Sequence, residues 1–217
     1  MHSQGYNFGQ TLLAANASLR KRDRTRSVIQ NAGCTLLDRN ALADLTVSAI
    51  CREANIAHGT FYIYFPDRQA FVADLLNRFV DHIQIVMQQA SRAGGADAVR
   101  ATTEAYYLMF EQNPGIMKCL VHHLEEFPKA RDAFQTLNRE WAATVVSSTE
   151  LKLAQSGRGG ALSRDELFRR AYALGGMVDQ YLAALLLSHD RTLAGVSADK
   201  AAVIETLTHI WKRGMAE

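Results

Sequence analysis

The sequence predicts an all-α protein: an N-terminal three-helix domain with a helix–turn–helix, followed by a larger helical domain. Three observations support this fold class. The 217 residues include only 3 prolines, no β-branched alternating run stands out, and apolar residues recur at helical spacing along most of the chain. About nine helices are expected, in domains at 20–66 and 67–217. Residues 1–19 are low in charge and are expected to form a mobile tail.

The composition is that of an ordinary globular protein. Apolar residues make up 48% of the chain, and 24 basic against 22 acidic residues leave a formal net charge of +2. The longest apolar run, residues 181–187, is far too short to span a bilayer, and no apolar leader marks the N-terminus. The three cysteines fit a reducing compartment. We therefore expect a cytoplasmic protein that does not engage a membrane.

A basic segment leads into the first predicted helix, which runs from about 23 to 37. Its cations are Arg20, Lys21, Arg22, Arg24 and Arg26. Ahead of a helix–turn–helix, such a cluster favours contact with phosphates or the minor groove, and a solvated leader is the alternative. Gly33, on the apolar face of this helix, is either a weak point or a place of close helix contact.

Two short helices with a tight turn between them follow. Thr46 can cap the first, and Asn55 interrupts the helical pattern, since asparagine tolerates the left-handed conformation that such a turn needs. The second helix runs from about 57 to 64, because Pro66 disfavours helical backbone at the residue before it. Asp67 can then cap a long fourth helix that ends near 91.

The third helix is expected to divide its residues between an anchoring face and a displayed face. Phe61 and Phe65 are four residues apart and would hold the helix to the body. His58, Thr60 and Tyr62 would point outward beside Gly59, which suits close approach to a DNA groove and its phosphates. The alternative is a buried helical hairpin whose tyrosine hydroxyls have hydrogen-bond partners within the protein.

The stretch AHGTFYIYFPDRQAF resembles the recognition helix of the TetR family of bacterial transcriptional regulators. The family pattern matches at Gly59, Thr60, Tyr62, Tyr64 and Phe65, and the preceding helix matches through Thr46, Val47, Ile50, Ala54 and Ile56. Ala57 stands where the family usually has a capping Ser or Thr, which predicts a weaker helix start. Asn55 replaces the usual Gly, Arg68 the usual Lys, and Ala41 a Gly at the end of the first helix. The resemblance covers about 24–76.

The resemblance and the residue pattern together define a candidate DNA-binding set. His58 is the expected base reader, Ser48 assists it, Thr60 and Tyr62 lie at the DNA surface, and Tyr64 and Arg68 contact phosphates. The full set is Arg22, Arg24, Arg26, Thr46, Ser48, Ala57, His58, Gly59, Thr60, Tyr62, Ile63, Tyr64 and Arg68.

Six helices, including the long fourth helix, are predicted after the three-helix domain at 20–66. Gly94-Gly95 interrupts the helical pattern before a helix at about 96–112. Asn113 can then serve as the N-cap of the next helix, with Pro114 as its first residue. Pro128 opens a helix that reaches about 155, after which SGRGGALS is a loop. Ser163 and Glu166 form a capping box for the eighth helix, and Ser197 opens the last one.

The last two helices are the predicted dimer interface. The eighth helix has more apolar residues than one buried face can use, and Gly175-Gly176 would let a partner approach closely. Burial within one subunit is the alternative. The TetR resemblance implies that the last two helices of two subunits form a four-helix bundle across a two-fold axis. The two DNA-binding domains would then contact the two half-sites of a palindromic operator. The predicted interface residues are Leu174, Gly175, Val178, Leu182, Leu185, Val203, Leu207, Ile210 and Trp211.

Aromatic and methionine residues with a few polar groups in the larger domain suit a small amphipathic ligand, although each one alone fits an ordinary core position. The candidates are Tyr106, Tyr107, Phe110, Met117, His122, Trp141, Met177 and Tyr181. No metal site or cofactor is expected, because His122 and His123 are adjacent and point about 100° apart on a helix.

Two functions of different classes fit the sequence. The first is a dimeric DNA-binding transcriptional regulator, expected to be a repressor that a small amphipathic or apolar ligand relieves. The second is a helical enzyme or adaptor protein with an incidental helix–turn–helix. Against an enzyme, the chain has no Gly-rich phosphate loop, no nucleophile elbow and no metal-ligand spacing.

Overall fold

The computed structural model describes residues 5–15, 20–157 and 159–216, and these residues form helices joined by short turns, without a strand. The all-α fold class is confirmed. Each of the nine predicted helices has a counterpart, and two short helices, α1 and α10, were not predicted. The α-helices of the described residues are α1 Phe8–Ala14, α2 Lys21–Arg39, α3 Val47–Glu53, α4 His58–Tyr64, α5 Arg68–Gly94, α6 Ala98–Gln112, α7 Pro114–His122, α8 Pro128–Gln155, α9 Arg164–Leu182, α10 Arg191–Val196 and α11 Lys200–Ala216.

Part of the predicted mobile tail is a packed helix. Asn7 caps α1 by accepting a 2.8 Å hydrogen bond from the backbone N–H of Gln10, and Phe8 and Leu12 are buried on one face. The prediction of a mobile tail is therefore wrong for residues 5–15. The remainder of the tail, 1–4 and 16–19, lies outside the described residues. Two apolar side chains four residues apart were too weak a pattern to predict the helix.

The chain divides into two compact units. The first comprises the described residues of Met1–Met87 and Leu108–Ala133, and the second those of Gln88–Tyr107 and Phe134–Glu217. The first unit thus joins α1 and α7 to the helix–turn–helix elements. The boundary between the units falls inside α5, α6 and α8.

A cluster of phenylalanines forms the centre of the helix–turn–helix part of the first unit. Phe71, at the start of α5, lies 5.8 Å from Phe61 and 5.0 Å from Phe65 between ring centroids. A Cβ added to Gly33 of α2 would lie 2.6 Å from Cζ of Phe71. Gly33 is therefore a place of close contact, because no larger residue leaves room for this ring.

The seam between α9 and α11 is the main apolar contact of the second unit. Arg170 donates a 3.1 Å hydrogen bond to the Gly214 carbonyl, and Leu174 packs directly against Gly214. The rings of Trp141 and Trp211 approach to 5.1 Å between centroids.

The predicted dimer interface stays a prediction, and this seam shows how much of it one chain already buries. Six residues of the predicted set are buried within the chain. They are Val178, Leu182, Leu185, Val203, Leu207 and Trp211. Leu174 and Gly175 are half-buried, and Ile210 is 40% exposed. Burial within the subunit, the alternative kept open above, explains most of the apolar pattern.

Among the described residues, no helix combines the length and the hydropathy that crossing a bilayer requires.

Candidate nucleic-acid interface

The turn between α3 and α4 has the geometry that the sequence predicts. Oγ1 of Thr46 accepts a 3.1 Å hydrogen bond from the N–H of Ala49 and so caps α3. Asn55 follows with a φ of 51°, in the left-handed region, which confirms the role expected of asparagine there. The N–H of Ile56 then donates to the carbonyl of Cys51 at 2.9 Å and closes the turn.

The short helix α4 is held by its aromatic face rather than by a cap. Ala57 occupies the N-cap position and provides no side-chain hydrogen bond, as expected of alanine. Phe61 is fully buried and Phe65 is 2% exposed, so these two rings anchor α4 on Phe71. The predicted anchoring face is confirmed, and it leaves the opposite face available for contacts.

That opposite face is open and chemically mixed. Tyr62 is 54% and Ile63 67% exposed, His58 is exposed, and a Cβ added to Gly59 would meet no atom within 4 Å. Exposed large apolar side chains beside an imidazole and a phenol provide van der Waals contacts, donors and acceptors on one surface. Of the other predicted residues, Thr46, Ser48 and Ala57 are exposed, and Thr60 and Tyr64 are half-buried.

The basic segment contains both exposed cations and a cation that is ion-paired within the protein. Arg22 and Arg24 are exposed in the first turn of α2. Arg26, in contrast, forms an ion pair with Asp74 of α5, and its guanidinium lies 5.4 Å from the centre of the Phe65 ring. This cation ties α2 to α5, and its side chain is still 42% exposed, so its DNA contact stays a prediction.

Arg68 also has a structural contact, and its predicted phosphate contact stays a prediction. Its Nε donates to the carbonyl of Leu45 at 2.7 Å, and its Nη2 donates to the carbonyl of Leu42. These carbonyls belong to the turn between α2 and α3. The guanidinium therefore gives two backbone carbonyls of this turn a charged donor.

A shallow groove of about 410 Å³ on this unit adds Thr25 and Val28, which the sequence analysis did not single out. It is lined by Lys21, Arg24, Thr25 and Val28 of α2 and by Ile56 of the turn. Two cations and a hydroxyl beside an apolar floor suit a sugar–phosphate backbone. Lys21, Thr25 and Val28 recur at i, i+4 and i+7, so the helical spacing could have placed them on one face.

Comparison with known proteins agrees with this geometry. Residues 29–75 match the sequence model of the family described as "Bacterial regulatory proteins, tetR family". The chain is therefore similar to the TetR family in its helix–turn–helix part. It is 26% identical to the HTH-type transcriptional regulator EthR of Mycolicibacterium smegmatis over 192 residues, which cover 87% of this chain and 84% of that protein. The EthR of Mycobacterium tuberculosis H37Rv is 25% identical over 193 residues, covering 87% and 85%.

A solved structure agrees on the fold of this chain. The transcriptional regulator FadR of Bacillus subtilis, determined in complex with stearoyl-CoA, superposes with a TM-score of 0.62 at 13% identity, over 86% of this chain and 97% of that one.

The second unit contains a half-buried polar pair. The hydroxyl of Tyr106 donates a 2.7 Å hydrogen bond to Oδ1 of Asp179. Burial raises the pKa of Asp179, and the bond from Tyr106 opposes that rise. Burial, with the nearby Asp179 carboxylate, also raises the pKa of Tyr106 well above its usual range. Sequence analysis missed Asp179, which only the fold brings to Tyr106.

The other predicted ligand residues belong to both units, and their role stays a prediction. In the second unit, Lys200 lies 4.8 Å from the centre of the Tyr107 ring, the Tyr181 hydroxyl is 2.9 Å from Oγ of Ser197, and Met177 is half-buried. Trp141 packs on Trp211, and a Cβ added to Gly175 would lie 3.4 Å from its ring. Phe110 and Met117 are fully buried in the first unit, where His122 is exposed. The predicted single ligand set therefore divides between the two units. In the described part of the chain, no three His, Cys, Asp or Glu residues converge as metal ligands would.

Proposed function

We propose that the protein is a cytoplasmic, homodimeric repressor rather than an enzyme, and that it binds a palindromic double-stranded operator until a small amphipathic or apolar ligand releases it. The exposed face of α4 carries this proposal. Phe61 and Phe65 fix the helix while His58, Tyr62 and Ile63 remain uncovered. A short helix anchored on one side and displayed on the other is suited to the major groove.

The interface combines base readout with backbone contacts. His58 offers a ring donor or acceptor to a base edge, and Ile63 and the Tyr62 ring offer apolar contact to a thymine methyl or a sugar. Lys21, Arg22 and Arg24 provide charge for phosphates, which adds affinity without sequence preference and makes that affinity depend on salt. Gly59 lets the start of α4 approach the duplex closely.

Dimerisation would use residues that one chain leaves exposed. Tyr172 and Gly176 are exposed one turn apart on α9, and Ile210 is exposed on α11. A Cβ at Gly176 would meet nothing within 4 Å, so a partner helix can approach its backbone. Two copies related by a two-fold axis would present two recognition helices to two half-sites.

The ligand would bind in the second unit, where aromatic rings surround a few polar groups. Tyr106 and Asp179 provide a half-buried hydrogen-bonding pair, and Trp141 and Met177 provide apolar, polarisable surface. A ligand releases the operator only to the extent that it prefers the conformation that does not bind DNA.

Fluorescence anisotropy with a labelled DNA duplex from the region flanking the protein's own gene tests this function. We expect Tyr62→Ala to weaken binding to all sequences, and His58→Ala to change the preference at one base position by roughly 1–3 kcal/mol. Leu151→Ala truncates an equally exposed side chain on α8 and is expected to bind like the parent. If both α4 variants are folded and bind DNA like the parent, α4 is not the reading helix.

A further inference from the structure

The N-terminal helix α1 has contacts that neither DNA reading nor ligand binding explains. Its strongest polar link is to Asn113, which is 4% exposed at the corner between α6 and α7. Oδ1 of Asn113 accepts from the N–H of Phe8 at 2.7 Å, and Nδ2 donates to the carbonyls of Tyr6 at 2.8 Å and Met109 at 2.9 Å. Nδ2 of Asn7 returns a 2.9 Å hydrogen bond to the carbonyl of Gln112. The corner thus holds the start of α1 through hydrogen bonds in both directions.

On a second side, α1 packs against α5. The Phe8 ring lies 5.3 Å from Phe79 and 5.3 Å from His82 between centroids. His82 is 8% exposed, and its Nε2 has no hydrogen-bond partner among the described residues. The carbonyl of Tyr6 accepts a hydrogen bond from the same imidazole. Phe8 and Tyr6 thus both contact this buried polar ring.

On a third side, α1 lies against α2, the helix that carries the exposed cations. A Cβ added to Gly9 would be 2.7 Å from Oδ1 of Asn31 and 3.7 Å from Cβ of Cys34. Only a residue without a side chain allows this approach. The seven-residue α1 therefore bridges α2 of the helix–turn–helix, the first part of α5, and the α6–α7 corner.

We propose that residues 5–15 form a regulatory strap whose docking on α2, α5 and the α6–α7 corner is coupled to operator binding. This inference rests on the proposed DNA-binding function. The docked strap is the DNA-binding form, since it coexists with the exposed face of α4 and with the groove at Lys21 and Arg24.

The strap is suited to such coupling because its docking is finely balanced. Two buried apolar side chains and a few hydrogen bonds must offset the backbone entropy of about ten residues. Peripheral segments of this kind open locally without global unfolding. Coupling between two sites is reciprocal, so the factor by which docking strengthens DNA binding equals the factor by which DNA strengthens docking.

The test compares three full-length variants with the parent. Phe8→Ala removes the ring between Phe79 and His82, and Asn113→Ala removes the link to the corner. Leu13→Ala is the matched control, because Leu13 lies on α1 but is 40% exposed. We expect the first two variants to bind the operator about tenfold more weakly in anisotropy at fixed salt, and the control to bind like the parent.

Hydrogen exchange of the α1 amides supplies the reciprocal measurement. In the parent, saturating operator is expected to slow exchange of residues 8–14 by the same factor of about ten. Circular dichroism checks folding, and Gly9→Gln, which clashes with Asn31, replaces Asn113→Ala if the latter does not fold. If the parent binds the operator but the strap variants bind equally well and exchange in α1 is unchanged, the strap is structural only. If the parent does not bind DNA, the proposed function itself fails.

Discussion

The backbone N–H of Gly115, in the first turn of α7, donates a 3.0 Å hydrogen bond to Oδ1 of Asp38, near the end of α2. A Cβ at Gly115 would lie 2.2 Å from the carbonyl carbon of Leu37 and 2.4 Å from the backbone nitrogen of Asp38. Burial raises the pKa of Asp38, and the bond from Gly115 opposes that rise. Backbone therefore packs on backbone here, and α7 is part of the support of the helix–turn–helix.

Replacing Gly115 by alanine is expected to destabilise the protein by about 1–3 kcal/mol, because the atoms that the new methyl meets are backbone and cannot move aside cheaply. Urea unfolding followed by circular dichroism measures the change. Gly195→Ala is the control, since a Cβ at Gly195 would meet nothing within 4 Å. Equal unfolding midpoints for the two variants would show that α7 can shift away from α2 without cost.

Replacing Arg68 by methionine is expected to lower the free energy of unfolding by about 1–3 kcal/mol, because two backbone carbonyls lose their charged donor. Operator affinity of the folded variant should change little, since the guanidinium is occupied within the protein. Arg39→Met removes an exposed arginine from the end of α2 as a control. A large loss of DNA affinity with unchanged stability would restore Arg68 as a phosphate ligand.

His82 predicts a dependence of stability on pH. Burial lowers its pKa below the usual 6.5, so the unfolded chain binds the proton more readily than the folded chain. The contribution of neutral His82 to the free energy of unfolding is complete above pH 6.5. It is lost as the pH falls towards the lowered pKa, by about 1.4 kcal/mol per pH unit between the unfolded and the folded pKa. His82→Phe should remove this loss while still packing against Phe8 and Phe79.

The measurement is the urea midpoint of parent and His82→Phe at pH 7.5 and pH 5.5. The raised pKa values of Asp38 and Asp179 make stability rise as the pH falls, and they do so equally in both proteins. The difference between the midpoints of the two proteins therefore isolates the effect of His82. Parallel shifts of the two midpoints would mean that the histidine does not titrate in this range.

Gly176→Arg is expected to break the dimer, because it places a long charged side chain where a partner helix would approach α9. Analytical ultracentrifugation should show a dissociation constant at least about tenfold higher than that of the parent, a loss of roughly 1.4 kcal/mol or more. Gly195→Arg makes the same change at another open position on α10 and should leave association unaltered. A dimer that withstands Gly176→Arg uses a different face.

The helix–turn–helix could be predicted closely because its signals are local. Asn55 at the turn and Phe61 and Phe65 on one face of α4 act through neighbours within a few residues. The roles of Arg26 and Arg68 could not be predicted in this way. Their partners, Asp74 for Arg26 and the Leu42 and Leu45 carbonyls for Arg68, lie more than twenty residues away or belong to the backbone.

The dimer and ligand residues show a different limit. Helical periodicity predicted correctly that Leu182 and Leu207 face apolar surroundings, but the same period describes a face buried within one chain and a face buried between two. The exposed Tyr172 and Ile210 emerge only after the intramolecular seam is known. The pairing of Tyr106 with Asp179 joins residues 73 positions apart, which no local pattern reveals.

The burial of every cysteine has a practical consequence for spectroscopy. Cys34, Cys51 and Cys119 are all buried, and burial raises the pKa of Cys119 to about 12, so almost no thiolate forms at neutral pH. The native thiols should therefore react slowly with maleimides, and a single cysteine introduced at Ile63 or Leu13 would carry the label. Labels on α4 and α1 can therefore be introduced without first replacing the three natural cysteines. The distance between the two helices can then be measured by electron spin resonance or by energy transfer.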